Sequence, residues 1–227
     1  MNWGVVIPAA GRGSRMKKKT NKQFLDLQGL PLVVHTIRLF QACSFVSQIR
    51  LVVRSDELDY CHREILQEFN CDDVQLVAGG ATRRESVFNG LKSFAVSPDC
   101  VIIHDGARPL LSEVVLDRTK ASLQEYEAVA AGVKVKDTIK VTTEDSLVKE
   151  TLDRKNLVAI QTPQAFKYDL IMKAHKEVPD DEHFSDDASL VEALGHPVKV
   201  IAGDYENIKI TTPIDLVFAR MILGTRE

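Results

Sequence analysis

Short apolar runs alternate with helical stripes through the first half of the chain. The segment WGVVIP, Trp3 to Pro8, is apolar and rich in β-branched side chains, which predicts a buried strand. Later apolar runs predict further strands, over residues 49–54, 74–78, 100–104 and 128–135. Between the first four strands, apolar residues recur three or four positions apart and predict helices that face a sheet. These stripes cover residues 33–40, 58–69 and 87–94.

This alternation predicts an α/β fold with a doubly wound, mostly parallel Rossmann-like sheet that is covered by helices on both faces. The length of 227 residues suits one core, so we expect residues 1–227 to form a single domain. Ligands of such sheets bind beyond the carboxyl ends of the strands. The loops that follow Pro8 and His104 are therefore the first candidates for a site.

Residues 136–158 break the helical pattern. β-Branched and charged residues alternate on both sides of the acidic turn Thr143-Glu144-Asp145-Ser146, which predicts a protruding β-hairpin arm. An isolated hairpin is marginally stable in water, so we expect the arm to pack on a partner subunit in a homodimer. Further along, the sequence predicts helices over 168–177, after Ser185 or Asp186 and from Pro213, with a strand over 198–203.

The composition is that of an ordinary globular protein, with 44% hydrophobic and 27% charged residues. A net charge of −3, from 29 basic and 32 acidic side chains, argues against a nucleic-acid partner. No apolar run is long enough to span a membrane and no export signal is visible, so we expect no membrane partner and a cytoplasmic location. The four cysteines form no C-x-x-C pair, which favours reduced thiols.

A glycine-rich, basic loop follows the first predicted strand. It reads Ala9-Ala10-Gly11-Arg12-Gly13-Ser14-Arg15-Met16, with lysines at positions 17, 18, 19 and 22. Backbone N–H groups of such a loop can cradle phosphate oxygens, although the glycines would also suit a simple tight turn. The dinucleotide fingerprint fails at Met16 and Arg54, and the Walker motif lacks its terminal G-K-[ST].

Two later segments carry complementary chemistry. Asp105 and Arg108, in the segment DGARP, lie at the end of a predicted strand, where a carboxylate can hold Mg²⁺ and a cation can neutralise phosphates. A structural Asp–Arg pair in a turn is the alternative. The segment GGATRRES, residues 79–86, offers a glycine turn and a basic helix start that suit an anion, or only a strand-to-helix turn.

Together these segments resemble a known family. PAAGRGSRM, NKQF, GGATRRESV, IHDGARP, DTIK, TLDR, QTPQAF, SDDAS and NIKIT look like the motifs of the 2-C-methyl-D-erythritol 4-phosphate cytidylyltransferases, in order and over essentially the whole chain. The resemblance implies a nucleotide-diphospho-sugar transferase type of fold. It also implies transfer of CMP from CTP to methylerythritol phosphate, with release of pyrophosphate and with Mg²⁺ or another divalent cation as cofactor.

The same resemblance implies roles for individual residues. Arg15 and Lys22 would stabilise the transition state, assisted by Lys209, and Asp105 would hold the metal. The nucleotide would be bound by Ala9, Ala10, Gly11, Gly13, Gly79, Gly80, Arg83, Ser86, Asp105 and Gly106. The acceptor would be bound by Asp105, Arg108, Thr138, Arg154, Thr162 and Lys209. In this family the arm crosses to the neighbouring subunit, so Arg154 would serve the partner's site.

Two other functions are considered beside this one. An alditol-phosphate cytidylyltransferase that makes CDP-ribitol would share the fold and the chemistry, but those relatives tend to have A-G-G where this chain has Ala9-Ala10-Gly11, and they lack the context of Arg154. A non-catalytic nucleotide-binding module would have no reason to keep Lys22, Asp105 and Arg108 together. His104, beside Asp105, is expected to be structural, because an acceptor phosphate needs no general base.

Overall fold

A seven-stranded sheet forms the centre of the molecule, in a computed structural model that describes residues 1–11, 21–179 and 184–226. The strands are β1 (Trp3–Pro8), β2 (Asp26–Leu27), β3 (Leu30–Pro31), β4 (Val46–Val53), β5 (Val74–Ala78), β6 (Cys100–Ile103), β7 (Ala128–Lys134), β8 (Lys140–Thr142), β9 (Val148–Thr151), β10 (Val158–Lys167) and β11 (Lys199–Ala202). The helices are α1 (Leu32–Gln41), α2 (Leu58–Cys61), α3 (Arg83–Lys92), α4 (Glu113–Ser122), α5 (Tyr168–Glu177), α6 (Asp187–Ala193) and α7 (Pro213–Gly224).

The main sheet has the strand order β11-β7-β10-β6-β1-β4-β5. Its strands run parallel, except that β10 is antiparallel to both β6 and β7. The predicted doubly wound, mostly parallel sheet is therefore confirmed. Side chains of β1 alternate between two cores, with Val5 and Ile7 packing on one face and Val6 on the other, as the period of a strand requires.

Helix α3 packs unusually close to the sheet. A Cβ atom at Gly90 would lie 2.6 Å from Val6 Cγ1 and 2.9 Å from Val52 Cγ2. Only glycine allows this approach without a shift of the strands, and the approach brings Arg83, the first residue of α3, close to the end of the sheet.

Strand β10 and helix α4 were not predicted from the sequence. β10 carries polar residues and Pro163, which argue against a central strand. The structure accommodates Pro163 because the pairing of β10 with β7 is irregular between Ile160 and Gln164. Two predicted helices also differ in detail, since α2 continues as a π-helical stretch (His62–Gln67) and Phe94 packs on the core beyond the end of α3.

The predicted hairpin is present as β8 and β9, which form their own two-stranded sheet. Every residue of the two strands is exposed, so this chain leaves the arm uncovered. Among the helices that the structure describes, none is both long and apolar enough to cross a membrane.

Candidate active site

A cleft of about 760 Å³ lies beyond the carboxyl ends of β1, β4, β5 and β6. The loop after each of these strands contributes to its wall, through Gly11, Arg54, Gly79 and Asp105 respectively. The cleft thus lies at the edge of the sheet where the sequence placed its first candidate loops. Its volume is within the range of clefts that hold a nucleotide-sized ligand.

The turn between β5 and α3 forms one end of the cleft. Thr82 caps α3 by accepting a hydrogen bond from Glu85 N at 3.1 Å. Ser86 Oγ accepts from Gly80 N at 3.1 Å and donates to Thr82 O at 2.8 Å, so the hydroxyl locks the glycine turn onto the helix. The turn is also tight against β1, since a Cβ at Gly79 would lie 2.8 Å from Ala10 Cβ.

Asp105 sits among three cations in the wall of the cleft. Its Oδ2 atom lies 2.6 Å from Lys209 Nζ and 3.9 Å from Arg108 Nε, and its Oδ1 atom lies 3.5 Å from Arg83 Nη2. Burial alone would raise the pKa of this carboxyl, but the charges of Arg83, Lys209 and Arg108 hold the pKa well below its usual range. Asp105 is therefore ionised at neutral pH.

Lys209 reaches the site on an irregular segment, residues 203–211, that is held from several sides. Ile210 N donates to Ala107 O at 2.9 Å, and Ile210 O accepts from Lys22 Nζ at 3.0 Å. Arg108 Nη1 donates to Asn207 O at 2.6 Å. The segment is thus attached both to the loop after β6 and to Lys22, which the family resemblance assigns to transition-state stabilisation.

Lys22 begins a short 3₁₀ helix, Lys22–Phe24, that Asn21 caps. The Asn21 side chain accepts from Gln23 N at 3.2 Å and donates to Glu57 Oε2 at 3.0 Å. It also donates to Ala9 O at 3.4 Å. Asn21 and Glu57 therefore fix Lys22 relative to β1, and neither role was visible in the sequence, because the two residues are 36 positions apart.

A second, smaller cavity of about 100 Å³ adjoins the cleft and shares Arg83, Asp105 and Lys209 with it. Thr162 and Arg108 also line this cavity. Thr162 Oγ1 accepts a hydrogen bond from Asp105 N at 3.0 Å, which joins β10 to the loop after β6. The antiparallel strand absent from the sequence prediction thus builds one wall of the site.

Comparison with known proteins identifies the family. The sequence model of the 2-C-methyl-D-erythritol 4-phosphate cytidylyltransferases matches residues 4–225. The chain belongs to this family. A 2-C-methyl-D-erythritol 4-phosphate cytidylyltransferase from Alkaliphilus oremlandii is 46% identical to this chain, and the alignment covers 98% of this chain and 95% of the relative.

Solved structures agree with this assignment. A 4-diphosphocytidyl-2C-methyl-D-erythritol synthase from Anaerococcus prevotii superposes with a TM-score of 0.85 at 34% identity, over 98% of this chain and 96% of that one. A 2-C-methyl-D-erythritol 4-phosphate cytidylyltransferase from Thermus thermophilus gives 0.79 at 29% identity, over 99% and 100%. The family resemblance and the fold predicted from the motifs are therefore confirmed.

The structure brings together most of the residues predicted for the site. Ala10, Gly11, Lys22, Gly79, Gly80, Arg83, Ser86, Asp105 and Lys209 line the cleft, and Arg108 and Thr162 line the second cavity. Ala9 and Gly106 are buried directly behind the cleft. Gly13 and Arg15 lie outside the described residues.

Thr138 and Arg154, on the arm, are not among the residues that line either cavity. Thr138 is exposed, and Arg154 donates a hydrogen bond to the backbone carbonyl of Lys136 within the arm. His104 is fully buried, and its Nε2 atom lies 3.0 Å from Arg108 O. Burial lowers the pKa of His104 to about 4, so the ring is neutral, in accord with the structural role expected for it.

Proposed function

We propose that this chain transfers CMP from CTP to 2-C-methyl-D-erythritol 4-phosphate, forming 4-diphosphocytidyl-2-C-methyl-D-erythritol and pyrophosphate. The observation that carries the proposal, beyond family membership, is the set of three cations and one carboxylate where the two cavities meet. Transfer between two phosphates requires two anionic ligands to meet at one point. The shared wall of the cavities provides that point.

The large cleft suits CTP. The turn of Gly79, Gly80 and Ser86 offers backbone groups and a hydroxyl to the base. Lys22 lies nearer to Lys209, because Lys22 Nζ donates to the carbonyl oxygen of Ile210, the residue that follows Lys209. We therefore place cytosine at the turn and the phosphates toward Lys22 and Gly11.

The second cavity suits the acceptor phosphate, with Arg108, Thr162 and Lys209 as its ligands. An acceptor oxygen attacks the α-phosphorus of CTP, the new P–O bond forms, and the bond to the bridging oxygen of pyrophosphate breaks. The second pKa of a phosphate monoester is about 6, so the nucleophile is already deprotonated at neutral pH. Catalysis then consists of holding two polyanions in line and neutralising charge, which explains why lysine and arginine surround the junction.

The residues present fit a magnesium ion held largely by the substrate. Within the described ranges there is no cluster of three or more His, Cys, Asp or Glu side chains that could hold a metal alone. Mg²⁺ commonly binds one or two carboxylates together with substrate phosphates. Asp105 supplies such a carboxylate, and its Oδ1 atom is the less tightly paired oxygen. When bound, the ion would neutralise negative charge on the phosphates of CTP.

The test is pyrophosphate release from Mg-CTP with methylerythritol 4-phosphate, with ribitol 5-phosphate and with no acceptor, alongside ATP, GTP and UTP. We expect release only with CTP and methylerythritol 4-phosphate. Release with ribitol 5-phosphate instead would move the chain to the alditol-phosphate cytidylyltransferases. If no combination of nucleotide and acceptor releases pyrophosphate, the enzymatic assignment is contradicted and a nucleotide-binding module is supported.

We also propose a homodimer in which the arm serves the partner's site. The arm exposes apolar side chains that its own chain does not cover, with Leu147 67% and Val148 60% exposed. A second exposed apolar stripe lies on α7, at positions spaced as one helical face, Ile214, Val217, Phe218 and Met221. Mutual burial of these two surfaces in a two-fold dimer would remove both from water.

The position of α7 relates this contact to the site. The helix begins at Pro213, four residues after Lys209, so an arm docked on its first turns would lie beside the partner's acceptor cavity. Thr138 and Arg154 would then reach a site that they do not reach in their own chain. Light scattering should show a dimer, and Leu147→Asp with Val148→Asp should yield a monomer with little activity.

A mixing experiment tests the shared site directly. Lys22→Ala inactivates a chain's own site, whereas Arg154→Ala inactivates its partner's. Random exchange of the two inactive variants makes half the dimers mixed, each with one intact site, so activity should return to about a quarter of the wild-type value. If Arg154 serves its own chain, the mixture stays inactive, and that result would overturn the proposed exchange.

A cytoplasmic location is proposed as well. The four cysteines form no disulfides, and three of them are buried. Thiols of this kind suit a reducing compartment, and localisation of a tagged chain by fractionation would test the proposal.

A further inference from the structure

The motif SDDAS places a carboxylate behind the site rather than in it. Asp187 is 1% exposed and lines neither cavity. Its Oδ2 atom lies 2.7 Å from Arg83 Nη1. A carboxylate removed from water to this extent requires a charged partner, and Arg83 is that partner.

Arg83 spans two carboxylates with one guanidinium group. Nη1 meets Asp187, and Nη2 lies 3.5 Å from Asp105 Oδ1. Burial would lower the pKa of Arg83, but Asp187 and then Asp105 raise it above its ordinary value. The planar guanidinium group of arginine has donors on separate nitrogens and permits this bridge. The ammonium group of a lysine carries its donors on one nitrogen and could not span the two carboxylates.

The backbone that carries Asp187 is itself fixed. Gln164 Oε1 accepts hydrogen bonds from Asp187 N at 3.1 Å and Ala188 N at 3.0 Å. Gln164 Nε2 donates to Asp186 Oδ2 at 2.7 Å, while Asp186 Oδ1 caps α6 by accepting from Ser189 N at 3.0 Å. The first turn of α6 is thus attached to β10, the same strand that brings Thr162 to the acceptor cavity.

His175 closes the remaining side of this buried group. Its Nε2 atom lies 3.7 Å from Asp187 Oδ1, and its ring stacks on Phe88 of α3 at 5.3 Å between centroids. Helices α3, α5 and α6 therefore meet around the Asp187 carboxylate, while the second terminal nitrogen of Arg83 faces Asp105 in the site.

We propose that Asp187 is a positioning residue for the transfer reaction: it fixes the Arg83 guanidinium at the junction of the two cavities, where the phosphates of CTP and of the acceptor meet. This inference rests on the proposed function. Without the Asp187 charge, Arg83 can swing or pair wholly with Asp105, and a misplacement of about 1 Å at a reacting centre can cost about a hundredfold in rate.

The test is a double-mutant cycle of Asp187→Asn and Arg83→Ala, read as kcat/KM at a temperature where all variants are folded. Asp187→Asn should lower kcat/KM by about 10- to 100-fold in the wild-type background and by less than about 3-fold when Arg83 is already alanine. Asp187→Glu, which keeps the charge, should restore most of the activity. Glu192→Gln removes an exposed carboxylate from the same helix and should leave activity unchanged.

A purely structural Asp187 would behave differently. Asp187→Asn would then lower the thermal midpoint while the folded protein kept its wild-type kcat/KM, or it would cause the same loss with and without Arg83. Either result overturns the proposal. Should the asparagine variant fail to fold, Arg83→Lys replaces it, since lysine keeps the charge and cannot bridge the two carboxylates. A fall of at least about tenfold in kcat is expected, and a wild-type kcat would refute the role.

The same cycle is run on the dissociation constant of Mg-CTP, which requires no turnover. If the wild-type chain binds CTP but makes no product, the proposed function fails, while the coupling between Asp187 and Arg83 is still measured. Coupling in binding supports the positioning role, and independent effects of the two substitutions overturn it.

Discussion

Replacing Gly79 by alanine is the sharpest steric test of the cleft. The backbone at Gly79 does not have a positive φ, so the cost of a side chain there is one of space. The added Cβ would lie 2.8 Å from Ala10 Cβ, 3.0 Å from Ser86 Oγ and 3.3 Å from Val53 O. Carbon atoms pack at about 3.5–4.0 Å, so the ends of β1 and β5 must separate by about 1 Å.

The size of the effect follows from how rigid these neighbours are. Ser86 Oγ cannot retreat without losing its hydrogen bonds to Gly80 N and Thr82 O, and Val53 O already accepts from Gly79 N at 2.7 Å. Overpacking of this kind costs about 1–3 kcal/mol. If the turn holds the base, the separation breaks a hydrogen bond to it, which is worth about 0.5–1.5 kcal/mol, and the affinity for CTP should fall by about 2- to 13-fold.

Calorimetric titration with Mg-CTP measures the affinity, and urea unfolding measures the stability of the same variant. The matched control is Gly224→Ala, because the nearest atom to its Cβ is Gln28 Nε2 at 3.8 Å and the residue ends α7 away from the cleft. The control should bind CTP as the wild type does. A Gly79→Ala chain with wild-type affinity would refute the placement of cytosine at this turn.

Three further predictions concern other parts of the molecule. Lys22→Ala should lower kcat by orders of magnitude with little change in the thermal midpoint. The control is Lys176→Ala, at an exposed position on α5, which should change neither quantity. Near-normal turnover in the Lys22 variant would contradict its role. The unfolding free energy should fall as the pH drops from 6.5 toward 4, because the unfolded state protonates His104 below 6.5 and the folded state only near 4. The slope is at most about 1.4 kcal/mol per pH unit for one proton, and it should shrink in a His104→Phe variant; an unchanged slope would assign the loss to other groups. Asp215→Ala removes the acceptor of hydrogen bonds from Thr212 N at 2.8 Å and Thr211 N at 2.9 Å. Because these bonds cap α7, the substitution should lower the unfolding free energy in urea by about 1–2 kcal/mol. An effect near zero would show that α7 needs no cap.

Several parts of the fold could be predicted from local sequence alone. The runs that form β1 and β6 consist almost entirely of apolar residues that leave water, and their length and β-branching distinguish them from helices. The hairpin of β8 and β9 follows from alternation around an acidic turn. The family was equally accessible, because its motifs are short and lie in order along the chain, as the match over residues 4–225 confirms.

Other parts depended on contacts between distant residues. Strand β10 exists because β6 and β7 supply its hydrogen-bonding partners, although Pro163 and its polar neighbours argue locally against a strand. Lys22 contacts a carbonyl 188 positions away, and Asp187 reaches Arg83 from another helix. The position of Arg154 relative to a partner stays a prediction.

The sequence by itself determined which segments are buried, which loops follow the strands and which ionisable side chains are available for chemistry. The tertiary structure decided that Arg83, Asp105 and Lys209 share one junction, that Asp187 lies against Arg83, and that Asn21 caps the turn that carries Lys22. The physical reason is that burial is encoded by the local spacing of apolar residues. The geometry of a charge cluster arises only when loops remote in sequence are packed against one another, and no local pattern records that packing.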